Sequence, residues 1–265
     1  MAATWDKILL FGDSITQESF NQQRGFGFSA GLQHEYIRRL DVVNRGFSGY
    51  TSRQALKILP HIVPSPSTAN IRLLVVFLGA NDASRPGAEN KQHVPLEEYV
   101  SNLEKIITHP SVTAHSPKVV LVAPAPIDEH LVWANDKSQG RAAVSRKNVD
   151  LKRYSDAAAR LGEKLGVPVV NLWKTLMAKT GWKEEEWKES EPILGALELP
   201  QSEELVRLLY DGLHFNPAGY QVLLEELLKA IRESIPELAP ENVPLLLPVW
   251  NDAGAWDTWD AAYNK

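Results

Sequence analysis

Short apolar runs alternate with stretches of helical spacing along most of this chain, and that alternation limits the fold more than any other feature. Ile8-Leu9-Leu10-Phe11, Asp41-Val42-Val43-Asn44, Arg72 to Leu78, Lys118 to Ala123 and Val167-Pro168-Val169-Val170 are short, rich in branched side chains and bounded by turn residues. Runs of that kind suit strands buried on both faces. Between them, helical spacing is found over Phe26 to Arg39, Thr51 to Leu59, Leu96 to Thr108, Val144 to Leu165, Leu172 to Lys179 and Pro217 to Ile235. Pro60 should end the second of these helices and Gly166 the fourth, while Asn216 and Pro217 suit the cap and first position of the last. Strands separated by helices require right-handed crossovers, hence a parallel sheet with helices on both faces. The expected fold is α/β: a three-layer α/β/α sandwich with a mostly parallel central sheet. With 265 residues the chain can form one large domain, expected over residues 1–235.

Two segments stand outside the alternation. Trp182 to Glu204 is dense in glutamate and lysine, which suits a solvated surface excursion, with a lid over a site as the sharper alternative. Residues 236–265 carry Pro236, Pro240, Pro244 and Pro248, a spacing that no continuous helix tolerates, together with Leu245, Leu246, Leu247, Trp250, Trp256 and Trp259. A tail so apolar is expected to pack on the domain or on a second subunit of a homodimer, or to cover a site mouth.

Composition removes several classes of function. The chain has no cysteine, so a thiol nucleophile and cysteine metal sites are excluded. Its net charge of −5, with the positive residues scattered, argues against nucleic acid as a partner. Met1 to Phe11 lacks the basic and apolar regions of a secretory signal, and no run reaches a membrane span's ~20 apolar residues. A soluble, cytoplasmic protein is the expectation. His34, His61, His93, His109, His115 and His130 lack metal-ligand spacing. Gly25-Phe26-Gly27-Phe28-Ser29-Ala30 fits a loose dinucleotide pattern but follows polar Gln22-Gln23-Arg24 instead of a strand.

Four polar clusters fall where strands should end, the edge at which open α/β sheets gather ligands. Gly12-Asp13-Ser14 follows the first strand, and its serine either caps a turn or presents a nucleophilic hydroxyl. Asn44-Arg45-Gly46-Phe47-Ser48-Gly49-Tyr50 follows the second, as a tight turn or a loop that aims backbone N–H groups at a ligand. Gly79-Ala80-Asn81-Asp82 follows the most apolar strand. Asn81 suits an Asx turn or an amide donor to a developing oxyanion. Tyr210-Asp211-Gly212-Leu213-His214-Phe215-Asn216 precedes the last helix, and only His214 of the seven histidines has a carboxylate three positions before it. Asp211 can reach one ring nitrogen of His214 across that turn, leaving the other to take a proton from a hydroxyl.

Taken in order, these blocks resemble those of the SGNH (GDSL-type) hydrolases. Ala30-Gly31-Leu32, Asp41 to Tyr50 and Asp211 to Phe215 are similar to the isoamyl acetate-hydrolysing esterase branch. The resemblance implies a flavodoxin-like sheet and a serine esterase that cleaves small acetate-type esters through an acyl-serine intermediate, with no metal or cofactor. It implies Ser14 as nucleophile, His214 as general base and then acid, and Asp211 as the partner that orients the imidazole. Backbone N–H groups of Ser14 and Gly49 and the side chain of Asn81 would form the oxyanion hole. Asp13 is expected to be a structural hydrogen-bond partner. Leu131 and Trp133 are expected either as apolar walls for the leaving alcohol or as ordinary core. The acidic excursion and the tail depart from the family blocks. An acetylated sugar, lysolipid or thioester substrate stays open, as does a non-catalytic binding protein on the same frame.

Overall fold

The computed structural model describes residues 5–263. Residues 1–4, part of the expected domain and of the Met1 to Phe11 stretch, and residues 264–265 of the tail lie outside the described residues.

Five parallel strands form one sheet: β1 (Lys7–Gly12), β2 (Asp41–Gly46), β3 (Ile71–Phe77), β4 (Lys118–Ala123) and β5 (Val169–Asn171), in the order β2-β1-β3-β4-β5. β1 and β3 are buried along nearly their whole length, as their unbroken apolar runs require. The helices in chain order are α1 (Ser14–Gln17), α2 (Phe28–Glu35), α3 (Ser52–Ile62), α4 (Leu96–Ile107), α5 (Pro110–Thr113), α6 (Glu129–Ser138), α7 (Asn148–Leu165), α8 (Leu172–Lys179), α9 (Glu203–Leu208), α10 (Pro217–Ser234) and α11 (Ala253–Tyr263). α3, α4 and α7 pack together over one face of the sheet, and α2 packs with α10 over the other. This is the expected α/β/α sandwich. Its chain reverses direction across the sheet between β1 and β3, the position at which open sheets leave a crevice. In register, Gly12 lies opposite both Gly46 and Phe77, and Phe77 lies opposite Val122. The segments leaving β1, β2 and β3 therefore start from one level.

Several local expectations are corrected. α3 runs through Pro60 to Ile62, and the Val63 N–H still reaches the Leu59 carbonyl at 3.1 Å. Proline removes only the bond to Leu56 so near the helix end, and burial of Ala55 and Leu59 against the rest of the fold holds the last turn. The helix expected from Val144 begins at Asn148. Ser145 and Arg146 are kept out of the helix by an antiparallel bridge between Ser84 and Arg146 and by the Ser145 N–H on Asp136, 2.6 Å away. Asn216 precedes α10 but does not cap it; its side-chain N–H donates to the Val206 carbonyl at 3.1 Å. α6 and α9 were not expected from their sequence spacing. β5 starts at Val169, two residues later than its apolar run.

The acidic excursion is pinned by its aromatic residues: Trp182 meets Trp173 edge-on at 5.1 Å, Trp187 packs on Trp182 at 6.1 Å, and Ile193 and Ala196 are buried. The core also continues past Ile235, taking in Leu238, Ala239 and Val243. Beyond it the tail is tied to the turn after α2. The Leu246 N–H donates to the Arg38 carbonyl at 3.0 Å, and the Arg38 guanidinium returns bonds to Leu247 and Pro248 carbonyls at 3.1 and 2.8 Å. After the last proline α11 forms, and Trp256 bonds back to the Val249 carbonyl at 2.9 Å. That attachment is at the edge where β2 begins, opposite the edge where Ser14 leaves β1. Among the described residues no helix is long and apolar enough to cross a membrane.

Candidate active site

The β1 exit turns at once into α1, whose N-cap is Asp13; its Oδ1 accepts the Ile15 N–H at 2.9 Å. Ser14 thus begins a helical turn at the carboxyl end of β1, and is 7% exposed. The α10 residue Tyr220 braces this turn by donating its hydroxyl to the Ile15 carbonyl at 2.7 Å.

Asp211 and His214 lie in a loop closed by an antiparallel bridge between Leu209 and Phe215. Asp211 Oδ1 accepts the backbone N–H groups of Leu213 and His214 at 3.0 and 2.8 Å, which orders the loop. Its Oδ2 bonds His214 Nδ1 at 2.7 Å, and His214 Nε2 bonds Ser14 Oγ at 2.8 Å, joining residues 200 apart in sequence. Burial pushes the Asp211 carboxyl up, but the His214 hydrogen bond and charge and the two backbone donors outweigh it and hold it below its ordinary value. Gly212 has φ +84°, and a Cβ there would collide with the Asp128 carbonyl. The loop can lie against the start of α6 only because this position is glycine. Tyr210 stacks on the His214 ring at 5.7 Å, and the Arg24 guanidinium lies 3.8 Å over the Tyr210 ring.

Gly49 (φ +79°) is in the exposed loop after β2, and Asn81 is buried after β3. Asn81 Nδ2 donates to the Tyr50 carbonyl at 2.9 Å, so the β2 and β3 exits are fastened together, and one amide hydrogen is left for another acceptor. Leu131, in the first turn of α6, lies beside Gly212. Trp133 projects from the other side of that helix, about 200° around it at 100° per residue. There Lys137 Nζ lies 5.3 Å from its ring centre. The two therefore do not form one wall. Arg146, Gln92, Tyr210 and Arg24 were missed by sequence reasoning. Arg146 and Gln92 carry no local signal, since their partners are far along the chain.

Beneath Ser14, Asp13 and Asp82 are both buried, and burial pushes each carboxyl up to about 6. Asp82 accepts the Ser52 N–H with both oxygens at 3.0 and 3.1 Å, whereas Asp13 Oδ2 has no hydrogen-bond partner among the described residues. A carboxyl that binds its proton more tightly when folded contributes stability at low pH that is lost as pH rises through its folded value. Stability measured by urea unfolding should therefore fall by on the order of 3 kcal/mol in total between pH 5 and pH 7.5. A flat or rising profile over that window would contradict the burial argument. Asp211, shifted the other way, contributes stability that is lost only as pH falls below the ordinary carboxylate range.

Residues 10–222 match the family described as GDSL-like Lipase/Acylhydrolase. The isoamyl acetate-hydrolyzing esterase of Saccharomyces cerevisiae is 35% identical over 255 residues, covering 94% of this chain and 95% of the yeast protein. The isoamyl acetate-hydrolyzing esterase 1 homolog of Homo sapiens is 35% identical over 253 residues, covering 95% of this chain and 89% of that protein. A solved structure, a catalytic mutant of an acetylxylan esterase from Geobacillus stearothermophilus, is similar at a TM-score of 0.59 and 18% identity, covering 87% of this chain and 95% of the other. That last likeness concerns the fold. The match along most of the domain and the two full-length relatives agree with the order of blocks around Ser14, and the chain belongs to the GDSL-like lipase/acylhydrolase family.

Proposed function

We propose that this protein hydrolyses small acetate-type esters through an acyl-serine intermediate on Ser14. Carboxylic ester hydrolysis comes with the family, and the acetate preference rests on the named activity of the yeast relative. The observation that carries the mechanism is the continuous chain Ser14 Oγ, His214 Nε2, His214 Nδ1, Asp211 Oδ2, with links of 2.8 and 2.7 Å. Ser14 Oγ bonds to the ester carbonyl carbon while its proton passes to His214 Nε2. The carbonyl oxygen becomes an oxyanion held by the N–H groups of Ser14 and Gly49 and by Asn81 Nδ2. When the tetrahedral adduct collapses, the bond to the alcohol oxygen breaks and the imidazolium returns the proton to that oxygen. Water, deprotonated by the same nitrogen, then adds to the acyl carbon, and the bond to Ser14 Oγ breaks as the imidazolium returns the proton to Oγ and the acid leaves. Asp211 keeps the Nδ1 proton in place and supports the positive ring.

Leu131, beside the Asp211–His214 loop, is part of this reading as a wall for the leaving alcohol, and Trp133, on the other side of α6, is not. A cytoplasmic setting and a homodimer bridged by the tail belong to the same proposal. The exposed Trp250, 87% accessible, supports the tail contact. A serine-directed fluorophosphonate probe tests the central claim. The protein should label rapidly and His214→Ala should lose that labelling, whereas slow or His214-independent labelling would favour a non-catalytic binding protein on this frame. A panel of esters varying in acyl and alcohol length then ranks acetates against lysolipids and thioesters.

A further inference from the structure

Arg146 is 6% exposed, and among the described residues no carboxylate forms an ion pair with its guanidinium. Burial pushes it down to about 10, opposed by the charges of Asp136 and Asp13. A cation kept from water without a direct counter-ion is costly, so its hydrogen bonds are informative. Nε donates to the Ala80 carbonyl at 2.9 Å, and Nη1 reaches Ser145 Oγ at 3.4 Å. Nη2 donates to Asn81 Oδ1 at 2.9 Å and to Gln92 Oε1 at 2.6 Å. Gln92 in turn donates its Nε2 to the Gly49 carbonyl at 3.0 Å. One guanidinium thus touches Asn81 directly and Gly49 through a single intervening amide.

We propose that Arg146, with Gln92 as its crosspiece, is a positioning residue that presets the oxyanion hole by fixing the amide of Asn81 and the loop carrying Gly49. The proposal rests on the reading of Asn81 and Gly49 as oxyanion donors. The chemistry is one of polarity. A guanidinium has only donors, so the Asn81 amide must turn its oxygen toward Arg146. A flipped amide would press an NH₂ group against a buried cation. With Oδ1 fixed, Nδ2 faces the other way, one hydrogen on the Tyr50 carbonyl and the second free for the developing negative charge. The Gln92 amide is oriented by the same rule: Oε1 toward Arg146 directs Nε2 to Gly49. The donors are then in place before charge develops, which is where an oxyanion hole gains over water. A positive charge behind the Asn81 carbonyl also polarises its N–H bonds, an effect that strengthens in a site shielded from solvent.

A double-mutant cycle tests this with p-nitrophenyl acetate, using Asn81→Ala, Arg146→Lys and the double variant of the full chain. Arg146→Lys keeps the charge and gives up the planar fork. Asn81→Ala should lower kcat by roughly 10²–10³-fold. Arg146→Lys should lower kcat by roughly 10–100-fold with KM within about twofold, because what is lost acts only when the oxyanion forms. In the Asn81→Ala background the same Arg146→Lys change should cost at least about fivefold less in kcat, since only the Gln92–Gly49 arm is then left to disturb. If Arg146→Lys leaves kcat unchanged, or lowers it by the same factor with and without Asn81, the positioning role is overturned while the oxyanion reading of Asn81 stands. If Asn81→Ala itself leaves kcat unchanged, that reading fails and this proposal fails with it. Should Arg146→Lys not fold, as judged by its melting transition, the cycle is run with Gln92→Leu at its half-buried position. Gln92→Leu should then lower kcat several-fold with KM within about twofold and, because Gln92 acts through the Gly49 loop, keep most of that loss in the Asn81→Ala background; an unchanged kcat overturns the proposal.

Discussion

Ser14→Ala is expected to abolish turnover of p-nitrophenyl acetate, with kcat falling roughly 10⁶-fold while the melting transition stays within a few degrees of the parent. The size follows from the mechanism: without Oγ no acyl-enzyme forms, and the oxyanion donors alone leave only a small residual rate. The fold should survive because the changed atom belongs to a turn held by other bonds. Asp13 still caps Ile15 at 2.9 Å, and Tyr220 still reaches the Ile15 carbonyl at 2.7 Å. Among the described residues, the hydrogen bond that Ser14 Oγ makes is the one to His214. Steady-state kinetics on protein freed of other esterases, alongside a thermal melt, checks both halves. Near-normal turnover would remove Ser14 from its role.

The second large effect is expected from Asp211→Asn, a change of one atom. Asparagine keeps an Oδ1 acceptor for the N–H groups of Leu213 and His214, so the loop should keep its shape. In place of Oδ2, however, it offers an NH₂ group to His214 Nδ1. That nitrogen must then accept a hydrogen bond, and the ring proton moves to Nε2, the nitrogen that has to take the Ser14 proton. The wrong tautomer is expected to lower kcat by roughly 10⁴-fold near neutral pH, with little change in KM. Fluorophosphonate labelling should slow in parallel. A loss below tenfold would mean that Asp211 serves the loop alone.

The elements that the sequence disclosed are those set by short windows. β1 and β3 are unbroken apolar runs, α4 and α10 repeat apolar residues every third or fourth position, and Gly166 ends α7 in a left-handed turn with φ +64°. The misses share a cause. Pro60 stays inside α3 because packing outweighs one lost hydrogen bond. α7 starts late because Ser145 and Arg146 are held by Ser84 and Asp136. α6 has little apolar periodicity of its own: it forms where Asp128 caps Leu131 at 2.9 Å and the Gly212 carbonyl receives the Asp128 N–H at 2.9 Å. Trp133 reads as a partner of Leu131 in one dimension, but two positions on a helix face nearly opposite ways.

By itself, then, the sequence determined the alternation of strand and helix, the parallel sheet that this imposes, and the four polar blocks at strand ends, because periodicity and turn chemistry act over a few residues. Only the tertiary structure decided that Ser14 and His214 meet at 2.8 Å, that a buried arginine joins Asn81 to Gln92, and that the tail is tied to the far edge of the sheet. Those facts depend on the register of neighbouring strands and on which helix covers which face. Such contacts are chosen by the packing of the whole core and leave no mark in any local stretch of residues.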